Sequence, residues 1–178
     1  MSSPSVKTKL VIICGLSFSG KSTLGKAIVE KFGLVEVDVD CTRFNLYGQS
    51  IKDEDLKPED WERVYAETDK LIENNLVAGK TVLDASRNFS KTERAAAKRM
   101  ADKAGVPLIT IYLDTPEEIV RQRLLENRIH PSRRDVTDRD FEDVIRAMDP
   151  PAAAENPLIF HFTDDMDGWL AAHSPVFA

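Results

Sequence analysis

Residues 15–23 read Gly15-Leu16-Ser17-Phe18-Ser19-Gly20-Lys21-Ser22-Thr23, directly behind the apolar run Leu10-Val11-Ile12-Ile13. The spacing is G-x-x-x-x-G-K-[ST], the Walker A pattern. It follows a buried strand and opens a helix, so it turns backbone N–H groups toward bound phosphates and adds a lysine ammonium and a hydroxyl for Mg²⁺. Gly15, Ser17, Phe18, Ser19, Gly20, Lys21, Ser22 and Thr23 are therefore expected to line a nucleotide's phosphates, with Ser22 also on the metal. A chance match on an unrelated loop would not come with strand, loop and helix in this order.

Outward from this stretch the hydrophobic pattern alternates between strands and helices. Residues 9–14 read as a strand, and residues 21–32 as a helix with Leu24, Ala27, Ile28 and Phe32 on one face, closed by Gly33. Residues 35–39 read as a short second strand. Trp61, Val64, Tyr65, Thr68, Ile72 and Leu76 recur at helical spacing over 59–78 and stop at Gly79, and 81–83 reads as a third strand. Ser90-x-x-Glu93 is a capping box, and Gly105 supplies a left-handed cap before a strand at 108–113. Thr115-Pro116-x-Glu118 predicts another box, with proline at the first helical position. Phe141, Val144, Ile145 and Met148 form a further stripe stopped by Pro150 and Pro151, followed by a strand at 158–162 and a short helix around Trp169. This alternation predicts an α/β protein with a parallel sheet covered on both faces and ligands at the carboxyl ends of its strands.

The chain has 178 residues, 42% of them hydrophobic, enough for one substantial core. The expectation is a single domain over residues 9–178 behind a flexible polar lead at 1–8. The net charge of −6 argues against a globally basic nucleic-acid binder and leaves room for a local basic groove. Cys14 and Cys41 have neither metal nor redox spacing, consistent with a reducing cytoplasm. The first nine residues contain no apolar signal core, and no stretch is long enough to span a bilayer.

Polar residues at the predicted strand ends gain meaning from the phosphate loop. Asp38-Val39-Asp40-Cys41-Thr42-Arg43 follows the second strand, and strand alternation would turn Asp38 and Asp40 to one side. Either aspartate there can take a proton from an attacking hydroxyl, and Arg43 can hold the acceptor or share charge. The plainer alternative is a solvated acidic turn with Arg43 in a surface ion pair. Asp84, ending a hydrophobic strand, is a candidate for the Mg²⁺ shell or for orienting the acceptor, ahead of Asp114, which introduces a turn. Arg87, in Ser86-Arg87-Asn88, is a candidate acceptor contact.

The densest basic segment carries Arg121, Arg123, Arg128, Arg133 and Arg134, and between Asn127 and Asp135 the apolar period disappears. It reads as a mobile loop whose arginines can fold over a triphosphate and exclude water. Arg123 and Arg128 are candidates for adenine stacking and phosphate contact, with Arg133 or Arg134 at the tip. Arg121 is expected to pair with glutamates at helical spacing. His130 and His161 are read as polar without a catalytic role.

Taken together, the loop 15–23, Asp40-x-x-Arg43, Val82-Leu83-Asp84-Ala85, Arg94, Leu113-Asp114-Thr115-Pro116-Glu117-Glu118, the stretch from Arg123 to Arg128, and Pro150-Pro151 with Glu155 resemble the small P-loop kinases. The resemblance covers nearly the whole chain. It is nearest to predicted ATP-binding kinases related to the polynucleotide 5′-hydroxyl kinase domain, and more distant to zeta toxins, shikimate kinases and gluconate kinases. It implies a three-layer α/β/α P-loop NTPase fold with a five-stranded parallel sheet and an arginine-bearing lid at about 128–137. It also implies Lys21 and Ser22 as phosphate and Mg²⁺ contacts, Asp40 as general base, Arg43 as an acceptor contact and Arg128 as a lid residue. Asp84-Ala85-Ser86-Arg87-Asn88 carries one residue more than the Asp-x-Thr-Asn usual in polynucleotide kinases. The Asp38/Asp40 doublet is similar to the acidic pair of shikimate kinase-like enzymes, so either carboxylate remains a candidate.

The combined expectation is an ATP- and Mg²⁺-dependent phosphotransferase that moves the γ-phosphate to a hydroxyl of a small molecule. Two alternatives stand beside it. A polynucleotide 5′-hydroxyl kinase needs only a small site for a nucleic-acid end, although the acidic balance and the lack of an aromatic-interleaved basic stripe weigh against it. A nucleotide-binding regulator would hydrolyse slowly without an acceptor. No Asn-Lys-x-Asp guanine-reading motif is present, which favours ATP over GTP.

Overall fold

β1 (Leu10–Cys14) is entirely buried and lies at the centre of the sheet, as its unbroken apolar run requires of a strand covered on both faces. A computed structural model describes residues 8–177; the expected flexible lead at 1–8 lies almost wholly outside them. Five parallel strands run in the order β2-β3-β1-β4-β5, with β2 (Val35–Val37), β3 (Val82–Asp84), β4 (Leu108–Asp114) and β5 (Leu158–His161). Register aligns Ile12 with Asp84 and Cys14 with Tyr112, so the carboxyl ends of the central strands share one edge with the phosphate loop.

Side-chain alternation along the strands feeds two separate cores. On one face Val11, Ile13, Leu83, Ile111 and Leu113 pack against α1 (Lys21–Phe32), α7 (Met166–Ala172) and α8 (Ser174–Phe177) through Leu24, Ile28, Trp169 and Phe177. On the other, Leu10, Ile12, Val37 and Val82 meet Ile72 and Leu76 of α3 (Pro58–Val77) and Ala97 and Ala101 of α4 (Lys91–Ala104). The result is the three-layer α/β/α P-loop NTPase arrangement, with a five-stranded parallel sheet. A smaller cluster joins Phe18 of the loop to Val120 and Leu124 of α5 (Glu117–Ile129) and Phe141 of α6 (Asp138–Ala147).

The predicted caps at Gly33, Ser90 and Gly105 are present, but two local expectations are corrected. The second strand stops at Val37, and Asp38 caps an unanticipated helix, α2 (Val39–Tyr47), by accepting the Cys41 N–H at 2.9 Å. Asp38 and Asp40 are therefore a helix cap and a first-turn residue, not two neighbours on one strand face. The box expected at Thr115 does not form. Its hydroxyl instead donates to the Ser19 carbonyl at 3.2 Å, and Pro116 precedes the first residue of α5.

Candidate active site at the strand ends

The phosphate loop owes its shape to three left-handed or Gly-restricted positions and to hydrogen bonds that engage its carbonyls. Gly15 has φ +152°, and a Cβ there would lie 3.0 Å from Ser19 Oγ and 3.1 Å from the Leu113 carbonyl oxygen. Gly20, at φ +109°, precedes α1, and Phe18 adopts φ +64°. Arg123 Nη1 donates to the Phe18 and Ser19 carbonyls, both at 3.1 Å, beside the Thr115 bond. With these carbonyls engaged by Arg123 and Thr115, the loop has the form of an anion cradle at a helix N-terminus. Ser19 Oγ is buried without a hydrogen-bond partner among the described residues, and Ser22 and Thr23 are exposed on the first turn of α1. Ser17 is partly exposed.

Lys21 folds back over the loop and donates to the Gly15 and Leu16 carbonyls, both at 2.8 Å. Burial and, next, the Arg133 guanidinium push its pKa down to about 8. The ammonium is thus held by neutral carbonyls in a setting that disfavours its charge.

A second group of polar residues gathers where β2 and β3 end. Asp84 is almost wholly buried; its Oδ1 accepts from the Ser86 hydroxyl at 3.1 Å and its Oδ2 from Arg87 Nε at 2.9 Å. Ser86 Oγ also accepts the Val39 N–H at 3.1 Å, tying the start of α2 to the end of β3. Arg87 reaches on to Asp69 of α3 at 2.5 Å, so this candidate acceptor contact is anchored on both sides by carboxylates. Burial raises the Asp38 pKa against the opposing bond from the Cys41 amide. Asp40 is 65% exposed and stands 3.1 Å from Arg43.

Arg43 lies deeper than its reading as an acceptor contact suggests. It is wholly buried, its guanidinium 4.4 Å from the Phe44 ring centroid and 5.8 Å from that of Trp61. Its charge is met by Asp40 and by Asp53 of a short 3₁₀ turn, Asp53–Asp55. Arg43 therefore supports the two carboxylates from behind.

The arginines of the 128–137 segment are placed individually. Arg128 Nη2 contacts Asp138 at 2.8 Å and the Val136 carbonyl at 3.0 Å, which fastens the segment to itself. Arg133 covers the Phe18 ring at 4.5 Å, and Arg134 reaches Asp53 at 3.3 Å. Arg121 pairs with Glu117 and, across to α6, with Glu142. The sequence reading missed Asn127, whose buried amide accepts the Ser132 and Arg133 N–H groups, each at 3.0 Å, and donates to the Arg133 carbonyl. An amide at the end of a helical pattern, just ahead of Pro131, was the available signal. Phe18 was read as a nucleotide contact, yet its side chain packs on Phe141, ring centroids 6.4 Å apart. It couples the phosphate loop to α6.

Between the 130–137 segment and α2–α3 lies a cleft of about 860 Å³, lined by Asp40, Asp53, Trp61, Arg133, Arg134 and Thr137 among others. This is room for a drug-sized ligand. Among the described residues no cluster of three or more His, Cys, Asp or Glu could hold a metal alone. A Mg²⁺ site built from one hydroxyl, one carboxylate and phosphate oxygens needs no such cluster, and Ser22 and Asp84 are of the type required. His161 pairs with Asp114 at 3.1 Å at the ends of β5 and β4. Both cysteines are free thiols, and no helix among the described residues is long and apolar enough to cross a membrane.

Known proteins with similar sequences and folds agree with this architecture. A shikimate kinase of Persephonella marina is 28% identical over 113 residues, covering 64% of this chain and 65% of that protein, just under two thirds of its length. Chaetomium thermophilum Kti12 in complex with ADP-AlF3 superposes with a TM-score of 0.74 at 16% identity, covering 94% of this chain and 97% of its own. The Mycobacterium tuberculosis APS kinase CysC, in complex with AMPPNP and APS, gives 0.64 at 21% identity, with 96% and 97% covered. A gluconokinase from Sinorhizobium meliloti gives 0.63 at 16%, with 96% and 94% covered. A family model described as an AAA domain matches residues 10–151, from β1 through the Pro150-Pro151 stop after α6. The chain belongs to this AAA-domain family.

Proposed function

We propose that the protein is a phosphotransferase that moves the γ-phosphate of ATP to a hydroxyl of a small molecule held in the cleft between α2–α3 and the 128–137 segment. The observation that carries this reading is the adjacency of a preshaped phosphate loop and a roomy polar cleft bearing an exposed aspartate. The shikimate kinase relative and the APS kinase and gluconokinase folds support it, since their names describe small-molecule phosphorylation. In this reading the domain comprises residues 9–178 and works in the cytoplasm.

Residues 15–23 with Lys21 bind the triphosphate, Lys21 exchanging its two carbonyl partners for phosphate oxygens. Ser22 and Asp84 would hold Mg²⁺, which supplies charge neutralisation at the phosphates. Asp40 receives the proton of the attacking hydroxyl, because it faces the cleft; Asp38, tied to its cap, holds α2 in place beside it. Asp53 and Trp61 border the acceptor in the cleft, Arg87 stands behind them beside Asp84, and Arg43 orients Asp40. The 128–137 segment acts as a lid, Arg133 and Arg134 being the cations placed to follow the transferring charge, with Arg128 and Arg123 bracing the lid and the loop.

The test is a screen of metabolite pools with Mg²⁺-ATP, scored by a mass gain of one phosphate. Little ATP hydrolysis alone and strong product formation with one acceptor class are expected. Slow hydrolysis indifferent to every metabolite would instead favour a nucleotide-binding regulator, and phosphate appearing on short oligonucleotides would favour a polynucleotide 5′-hydroxyl kinase.

A further inference from the structure

The loop after β3 opens onto a second cavity, about 210 Å³ in volume, between α3 and α4. Ala96, Ala97 and Met100 give it an apolar wall, and Tyr65, Arg87, Asn88 and Glu93, whose carboxylate is held by Ser90, give it a polar one. An apolar cavity of about 150 Å³ is enough to take up benzene. This one has room for a ring and a substituent.

Its polar wall is incompletely satisfied. Asn88 is 1% exposed and sits at φ +76°, a strained position that asparagine tolerates better than most residues. Its Nδ2 faces the Asp84 carbonyl at 3.5 Å, which orients the amide and leaves Oδ1 buried with no hydrogen-bond partner among the described residues. A buried acceptor in that state costs free energy until a donor reaches it. Next to it, Arg87 spends Nε on Asp84 and Nη2 on Asp69, so Nη1 is the nitrogen with no protein partner among the described residues. Arg87 and Asn88 are consecutive residues, and both belong to the lining of this cavity.

The cavity also adjoins the proposed acceptor cleft. Tyr65, on its rim, stands one helical turn from Trp61 with ring centroids 6.0 Å apart, and Trp61 lines the cleft with Asp40. The Tyr65 hydroxyl is pushed up mainly by burial, with Glu93 and Asp40 adding to the rise and Arg87 opposing it, which places the ring within electrostatic reach of both sites.

We infer that this cavity is a specificity subsite for the far end of the acceptor, taking a planar ring that carries a carboxamide-like edge. The edge N–H donates to Asn88 Oδ1, its oxygen accepts from Arg87 Nη1, and the ring face lies against Ala96, Ala97 and Met100. That the ring belongs to a phosphate acceptor rests on the phosphotransferase reading; that the cavity binds it does not.

Benzamide is the probe. Saturation-transfer NMR on the full chain should detect benzamide binding, with acetophenone, a neutral ketone that keeps the carbonyl and lacks the N–H donor, about tenfold weaker, the cost of one lost hydrogen bond to a buried group. Ala96→Leu fills the space from a partly exposed position and should abolish benzamide binding while ATP affinity stays unchanged. Asn88→Gly, which keeps the left-handed backbone and removes the acceptor, should bring benzamide down to the acetophenone level. If Ala96→Leu does not fold, Met100→Ala takes its place and should shift preference from benzamide to the bulkier indole-3-carboxamide. Absence of benzamide binding to protein that binds ATP, or binding undiminished in these variants, overturns the subsite. Benzamide binding in protein that phosphorylates nothing overturns only the kinase reading.

Discussion

Arg134 Nη1 lies 3.3 Å from Asp53 Oδ1, the same oxygen that accepts from the wholly buried Arg43. One half-exposed carboxylate therefore joins the 130–137 segment to a buried cation of α2. Replacing it exposes the difference between the two partners. Asp53→Ala leaves Arg43 with Asp40 alone and should cost about 1–2 kcal/mol in urea unfolding, less than a fully buried pair would because Asp53 itself meets solvent. Arg134→Ala removes a surface pair and should cost no more than about 0.5 kcal/mol. Both should speed amide exchange in residues 130–137. Equal stability losses would mean that Asp53 does not support Arg43.

Lys21 should make nucleotide affinity depend on pH. Its pKa lies near 8 in the ligand-free protein, against an ordinary 10.5. Triphosphate binding favours the charged form, so affinity should fall by up to about tenfold per unit as pH rises above 8, with proton uptake on binding. Calorimetry in buffers of different ionisation enthalpy reads that uptake directly. Stability has the opposite slope: between about pH 8 and 10.5 the unfolded chain holds more protons at this site, so folding is favoured as pH rises across that window. Lys21→Arg should flatten the affinity profile, and Lys21→Ala should abolish transfer.

The two aspartates after β2 should separate by kind of defect. Asp40→Asn is expected to lower turnover by 10²-fold or more, in the range of general-base loss, with ATP affinity nearly unchanged and a stability loss no larger than that of Asp53→Ala, because it neutralises one of the two carboxylates on the buried Arg43. Asp38→Ala removes the Cys41 cap and should cost about 1 kcal/mol of stability. Turnover unaffected by Asp40→Asn would remove Asp40 as the base. A larger turnover loss in Asp38→Asn, where the cap is retained, would transfer the role.

Arg94 should be a stability residue without a part in transfer. It is 2% exposed, holds Glu155 through Nε at 2.7 Å and Nη2 at 3.0 Å, and donates to the Asp149 carbonyl at 2.7 Å. Arg94→Ala leaves those acceptors unpaired and should cost about 3 kcal/mol in chemical unfolding. The Arg94 bonds hold the Glu155 carboxyl below its ordinary range, so this contribution is complete above the ordinary glutamate value and is lost as pH falls through the folded one. An Arg94→Ala unfolding midpoint equal to that of the parent protein would contradict this assignment.

What could be read from the sequence followed the range of the interactions involved. The strand, loop and first helix were legible because nine consecutive residues encode them and the apolar run of β1 allows one burial pattern. α2 was not, since it buries Thr42 and Arg43 beside Val39 and so lacks an apolar stripe. The role of Arg43 depends on Asp53, in a stretch without periodicity, and its depth depends on Trp61 from α3. The Thr115 box failed because α5 begins at Glu117 with Pro116 in the cap position, one residue later than the box requires, which leaves the Thr115 hydroxyl to donate to the Ser19 carbonyl. Asn88 carries no pattern at all; only a folded loop shows an amide oxygen left over.

The bonds from Arg123 and Thr115 to the Phe18 and Ser19 carbonyls have a kinetic consequence. They come from the middle of α5 and from the residue after β4, both already packed in the ligand-free protein, so the loop's ordering entropy is spent in folding rather than in capture. Association should then be a single encounter-limited phase whose rate rises linearly with nucleotide concentration. Cutting the Arg123 tether should introduce a second, concentration-independent phase as the loop learns its shape after contact.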